Sequence, residues 1–251
     1  MNRSISVFGL GYVGTVTAAC LAHRGNNVIG IDLSRTKVEA MDSGNSPIVE
    51  PRVSEIIAES HKADRLHATS SPDTAVLNSD VSFLCVGTPS LRNGKLELGH
   101  IEPACREIGK ILKKKNSFHL VVLRSTVLPG TAETIVAPTL EKASAKHIGA
   151  DFGVCVNPEF MREGTAVADF LEPSMTIIGA ANKAHSAIIR DLYAWAPGRI
   201  FETSFRSAEM VKYVCNAWHA VKVAFANEIG TLAPRTGSRW RICDGNVYLG
   251  N

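Results

Sequence analysis

The glycine triplet Gly9-x-Gly11-x-x-Gly14 constrains this chain more than any other feature. Before it lies a short apolar run, Ser4 to Phe8, with the profile of a fully buried parallel strand. After it, Tyr12 to Arg24 is rich in small apolar residues and suits a helix packed closely on a sheet. Glycines at that spacing permit a tight turn, close approach of backbone to a pyrophosphate (with Tyr12 and Val13 next to it), and tight helix–strand packing. The amino end of the helix then faces the phosphates. A bare triplet is weak evidence, because any sharp turn can use glycine. Here a second buried strand, Asn27 to Ile31, ends at Asp32, about eighteen residues beyond Gly14. A carboxylate at that place accepts hydrogen bonds from both ribose hydroxyls of a dinucleotide and repels a 2′-phosphate, so NAD is favoured over NADP. The alternative is that the glycines only form a turn and Asp32 only caps a helix; strand, spacing and acid together favour the dinucleotide. Lys37, on the first turn after Asp32, either reaches the adenosine ribose or is a solvated helix lysine.

Downstream the pattern repeats. Ser34 is placed to N-cap a helix reaching about Met41, and Arg52 to Ser60 reads as another helix. Strands are expected at Val81 to Val86, His119 to Leu123, Phe152 to Val156 and Met175 to Gly179. Helices are expected at Glu102 to Lys114, Gly130 to Glu141 (broken by Pro138) and Lys183 to Trp195. This alternation predicts an α/β fold, a Rossmann-like doubly wound parallel sheet. Three strands run into small polar turns: Gly87-Thr88-Pro89, Arg124-Ser125-Thr126 and Asn157-Pro158-Glu159. Ligands of such sheets bind outside the carboxyl ends of the strands, so chemistry is expected at these turns.

Ser207 to Leu232 is different. Met210, Val211, Val214, Trp218, Val221, Phe225 and Ile229 form one helical stripe, predicting a long connecting helix. An apolar stripe of that length packs on a second domain or a twin subunit, so a homodimer through this helix is expected. From Pro234 the tail shows no period, no caps and no hydrophobic face. The expected organisation is an NAD-binding domain over 1–203, the long helix over 204–233, and an atypical tail over 234–251, disordered or arising from a shifted reading frame.

Composition removes other classes. The chain has 27 basic and 24 acidic residues, a formal charge of +3, too even a balance for a nucleic-acid partner. Lys113-Lys114-Lys115 reads as a solvated helix end. The 6 cysteines form no CxxC pair, so no metal is expected; they read as reduced, mostly buried thiols of a cytoplasmic protein. No apolar stretch is long enough to span a membrane, and the glycine-broken amino-terminal run is not a signal peptide.

Four further segments occur in order: Gly87-Thr88-Pro89-Ser90, Arg124-Ser125-Thr126-Val127-Leu128-Pro129-Gly130-Thr131, Asn157-Pro158-Glu159-Phe160-Met161-Arg162-Glu163-Gly164 and Lys212-Tyr213-Val214-Cys215-Asn216. With the glycine loop they resemble the UDP-glucose/GDP-mannose dehydrogenase family from Met1 to about Ala233. The long helix looks like the branch that oxidises GDP-mannose to GDP-mannuronate. That family oxidises a sugar 6-alcohol to a carboxylate by two hydride transfers to NAD. The resemblance implies that Tyr12 and Val13 contact the pyrophosphate through their backbone, that Thr88 and Thr126 contact the nicotinamide half, and that Glu163 lies near both cofactor and substrate. It implies Glu159 as general base in thioester hydrolysis, Lys212 and Asn216 as the oxyanion-stabilising pair, and His219 and Asn227 as substrate contacts. Spacing agrees with part of this: Lys212 and Asn216 are one turn apart on one helix face, where an ammonium and an amide form a donor pair.

The family's nucleophile lies in a Gly-Gly-Ser-Cys-type loop beyond the long helix. No such segment occurs here, Cys243 does not match it, and Cys215 reads as a core cysteine. The expectation is therefore the amino-terminal part of a nucleotide-sugar 6-dehydrogenase, inactive as it stands. UDP-glucose as substrate, or a non-catalytic NAD-binding module, remain as alternatives.

Overall fold

The computed structural model describes residues 2–89, 91–92, 96–232, 235, 240–243 and 246–249. The chain divides into two compact units, Met1–Glu209 and Met210–Asn251. The first is built on eight strands: β1 (Ser4–Phe8), β2 (Asn27–Ile31), β3 (Leu66–Thr69), β4 (Val81–Leu84), β5 (His119–Leu123), β6 (Phe152–Val156), β7 (Met175–Ala180) and β8 (Arg199–Thr203). Their order is β3-β2-β1-β4-β5-β6-β7-β8, so the winding reverses between β1 and β4. Eight helices interleave with them: α1 (Tyr12–His23), α2 (Arg35–Asp42), α3 (Val53–Lys62), α4 (Pro72–Leu77), α5 (Ile101–Leu112), α6 (Ala137–Ser144), α7 (Ala166–Leu171) and α8 (Lys183–Leu192). This is the expected Rossmann-like fold. Strands β4, β5 and β6 are buried at every position, as strands covered on both faces must be.

The sheet departs from all-parallel in one place. β7 runs antiparallel to β6, with Cys155 opposite Ala180, and β8 then runs parallel to β7.

β3, α4, α7 and β8 were not expected from the sequence pattern. α4 nonetheless carries a local signature: Ser71 accepts the Thr74 amide and Pro72 occupies the first turn. Pro138 does not break a helix; it sits in the first turn of α6, just after a π-helical turn over Ala132–Val136, where its missing N–H costs nothing. Ser34 occupies the N-cap position of α2 without making a side-chain cap bond. Lys113 and Lys114 are exposed as expected, but Lys115 is buried. Its ammonium donates to the carbonyls of Val76 (2.7 Å) and Ser79, satisfying the open carboxyl end of α4.

The second unit carries most of α9 (Phe205–Leu232, 28 residues) and a pair of antiparallel strands, β9 (Trp240–Cys243) and β10 (Asn246–Leu249). This pair lies within the tail over 234–251, for which no ordered element was expected. The missed signal is alternation of apolar and polar residues on either side of Asp244-Gly245, a dipeptide favoured in two-residue hairpins. Ser90, Ala233 and tail positions 234, 236–239, 244–245 and 250–251 lie outside the described residues.

Candidate functional site

β1 delivers the chain to Gly9, whose φ of 94° lies in the left-handed region. A Cβ there would fall 2.8 Å from the Cys85 carbonyl oxygen, and one on Gly14 would fall 1.7 Å from the Gly9 carbonyl oxygen. These two positions are glycine because backbone fills the space. On Gly11 a Cβ would meet nothing within 4 Å, so that side of the turn is open. It opens on a cleft of about 540 Å³ across the carboxyl ends of β1, β2, β4 and β5. Of the expected site residues, Gly9, Gly11, Tyr12, Val13, Asp32, Lys37, Thr88, Thr126 and Glu159 all line this cleft.

Asp32 is partly buried at the end of β2. Its Oδ2 accepts the Leu10 amide at 2.7 Å and its Oδ1 accepts the Ser34 amide at 2.8 Å. Each carboxylate oxygen keeps a second acceptor site for a ribose hydroxyl. Lys37 places its ammonium 3.6 Å from Asp32 Oδ2. Across the cleft, the Thr88 hydroxyl donates to the Thr126 carbonyl at 2.7 Å and the Ser125 hydroxyl to the Val86 carbonyl at 2.6 Å, lacing the ends of β4 and β5 together.

Arg124, quoted in a motif but given no role at the level of sequence, is buried beneath this lacing. Its guanidinium donates to Thr17 Oγ1 (3.1 Å), Asn157 Oδ1 (2.6 Å) and the Tyr193 hydroxyl (3.1 Å), and lies 5.4 Å from the centre of the Phe170 ring. An arginine directly after four apolar strand residues was the available signal, since a buried cation requires a built set of acceptors. Arg124 and Glu159 also line an adjoining cavity of about 400 Å³, so they stand between the two spaces. Glu159 is buried, and its Oε2 accepts the Met161 amide at 2.7 Å.

Glu163 stands differently. It is exposed and does not line the cleft. Its neighbour Gly164 is instead held by a residue the sequence did not single out. Glu50 accepts the Tyr12 hydroxyl at 2.6 Å, the Gly164 amide at 2.8 Å and the Ala166 amide at 2.9 Å. Burial pushes the Glu50 carboxyl up, but these donors outweigh it and hold the pKa below the ordinary value. Burial and the Glu50 carboxylate push the Tyr12 phenol well above its usual range.

Lys212, Asn216, His219 and Asn227 all lie on α9, with Lys212 buried and the other three exposed. Burial raises the thiols of Cys20, Cys85, Cys105 and Cys155 to about 12, so none of these is a thiolate near neutrality. Among the described residues no group of His, Cys, Asp or Glu is arranged to hold a metal ion, and no helix is long and apolar enough to cross a membrane.

A glycine-rich strand–turn–helix at the switch point of a doubly wound sheet, with a carboxylate closing β2, defines a Rossmann-type NAD-binding domain of the dehydrogenase class. The chain belongs to the UDP-glucose/GDP-mannose dehydrogenase family: residues 3–196 match the NAD binding domain of that family and residues 206–242 its central domain. It is 50% identical over 233 residues to GDP-mannose 6-dehydrogenase of Pseudomonas aeruginosa, covering 93% of this chain and 53% of that protein. It is 34% identical to UDP-glucose 6-dehydrogenase TuaD of Bacillus subtilis, covering 97% of this chain and 52% of that protein. The crystal structure of a ternary complex of the P. aeruginosa enzyme superposes with a TM-score of 0.91, over 93% of this chain and 54% of that one. A UDP-glucose dehydrogenase from Pyrobaculum islandicum superposes at 0.89 with 38% identity, over 94% of this chain and 54% of that one. The chain spans about half the length of the curated relatives it matches.

Proposed function

We propose that this chain is the NAD-binding part of a nucleotide-sugar 6-dehydrogenase acting on GDP-mannose. What carries the cofactor assignment is the cleft, where an open Gly11, the amino end of α1 and an anchored Asp32 line one surface. What favours GDP-mannose is 50% identity to its 6-dehydrogenase, against 37% and 34% for two UDP-glucose relatives.

When bound, NAD supplies the hydride acceptor. The chain's own residues do the rest. The amides at the start of α1 neutralise pyrophosphate charge, Asp32 accepts the adenosine ribose hydroxyls, and Lys37 lies beside them. Thr88 and Thr126 hold the nicotinamide half at the ends of β4 and β5. Glu159 is placed as the base for the water that would hydrolyse a thioester on the family's nucleophile loop, which this sequence does not match, and Lys212 and Asn216 are placed as donors to the developing oxyanion. Glu163, His219 and Asn227 contact substrate; their roles rest on the family resemblance. We also propose that α9, which exposes Met210, Val214, Trp218, Val221 and Phe225, pairs with a second copy, and that the protein works in the cytoplasm.

Titrating the protein with NAD in the presence of GDP-mannose or of UDP-glucose, while following NADH fluorescence, tests this. Saturable NAD binding that GDP-mannose tightens more than UDP-glucose supports the proposal, with little or no NADH expected because the sequence carries no match to the family's nucleophile loop. NAD binding that neither sugar nucleotide alters marks a binding module instead, and no NAD binding removes both.

A further inference from the structure

Glu50 and Val49 invert the usual order of burial. Val49 is 99% exposed, while the acidic residue beside it is 7% exposed. Fully buried glutamates are rare unless paired, and this one has no cationic partner in its hydrogen bonds. The segment turns further against its preference at Arg52, a non-glycine residue with φ of 66°, before α3 begins. A left-handed arginine is strained, and such strain persists where the surrounding structure demands a particular aim. What the strain accompanies is the aim of one carboxylate at three donors from two separate loops.

One of those loops lies at the candidate site, the other beside Glu163 outside the cleft. Tyr12 is the first residue of α1, next to the turn where the pyrophosphate lies. Gly164 and Ala166 follow Glu163 directly and lead into α7. Glu50 Oε2 bridges them, taking the Tyr12 hydroxyl and the Gly164 amide on one oxygen, while Oε1 takes Ala166. The geometry points to Glu50 as a positioning residue: it clasps the glycine-loop helix to the Glu163 segment, so that dinucleotide binding at Tyr12 sets the conformation of the segment that carries Glu163. This rests on the proposal that a dinucleotide occupies the cleft. It adds a coupling between the site and the Glu163 segment, through a residue 38 positions from one and 114 from the other.

Amide hydrogen exchange on the purified chain, with and without NAD, tests the clasp. NAD is expected to slow exchange at Gly164 and Ala166 by about fivefold or more in the wild type. Tyr12→Phe keeps the carboxylate and both amides, removes one charge-assisted bond, and is expected to abolish most of that slowing while weakening NAD roughly threefold to tenfold. A merely structural role would lower the melting temperature and leave the NAD-dependent difference intact; that outcome overturns the clasp. Glu50→Gln, whose amide can accept at only one atom, is expected to speed exchange of both amides about tenfold in the free protein. Unchanged rates there also overturn it. If the wild type shows no saturable NAD binding, the cofactor assignment fails separately, and free-protein exchange still judges the clasp.

Discussion

The hydroxyl of Thr88 donates to the carbonyl of Thr126 at 2.7 Å, joining two strand ends that are 38 residues apart in sequence. The bond fixes the width of the cleft where the nicotinamide half is proposed to lie. Thr88→Val preserves shape and removes the donor. It should weaken NAD binding about threefold to tenfold, in keeping with roughly 1 kcal/mol for one hydrogen bond, and change stability by a similar amount. Calorimetric titration and urea unfolding read the two effects separately.

Asp32 holds the backbone of Leu10 and Ser34 before any ligand arrives. Asp32→Asn should therefore weaken NAD by tenfold or more (about 1.5–3 kcal/mol for bonds to a charged acceptor). It should weaken NADP much less, because the repulsion of a 2′-phosphate goes with the charge. Equal losses for both nucleotides would contradict this role.

Arg124 bonds groups from α1 and from the residues that directly follow β6 and α8, and Arg124→Gln leaves several of those acceptors without a donor. The expected cost is about 3 kcal/mol in urea unfolding, the upper part of the range for a broken buried network. A change below about 0.5 kcal/mol would show that water replaces the guanidinium freely.

His119 bonds the Ser82 hydroxyl through Nε2 and the Ser79 carbonyl through Nδ1. Burial, with Lys115 beside it, lowers its pKa from 6.5 to about 3. A folded pKa below the unfolded one means that the unfolded chain takes up the proton first. Stability is complete above 6.5 and is lost as pH falls toward 3, by up to about 1.4 kcal/mol per unit. His185 acts with the same sign, since burial also lowers its pKa, and Glu50 joins only below 4.5. Urea midpoints between pH 6.5 and 5 should thus fall in the wild type and fall less steeply in His119→Asn. Identical slopes would sink the claim.

The first half of the fold was legible because its signals are local. Gly9, Gly14 and Asp32 report backbone crowding and charge within one β–α–β unit, and β4, β5 and β6 are uniform apolar runs. The reversal at β7 was not legible, since strand direction is set by a long-range pairing, here Cys155 with Ala180, that no local pattern reports. β3 and β8 are short edge-side strands with alternating or mostly exposed positions, which blend into loops. At the site, residues contributed by strand ends could be found from the motifs. Glu50 could not, because its partners lie 38 and 114 residues away and nothing beside it in sequence shows that it turns inward.

The most direct test is calorimetric titration of the purified chain with NAD and with NADP at equal ionic strength. NAD should bind one-to-one, and NADP at least about tenfold more weakly, because Asp32 is proposed to face the ribose. No heat with NAD, or equal affinity for the two nucleotides, would contradict the assignment of this cleft.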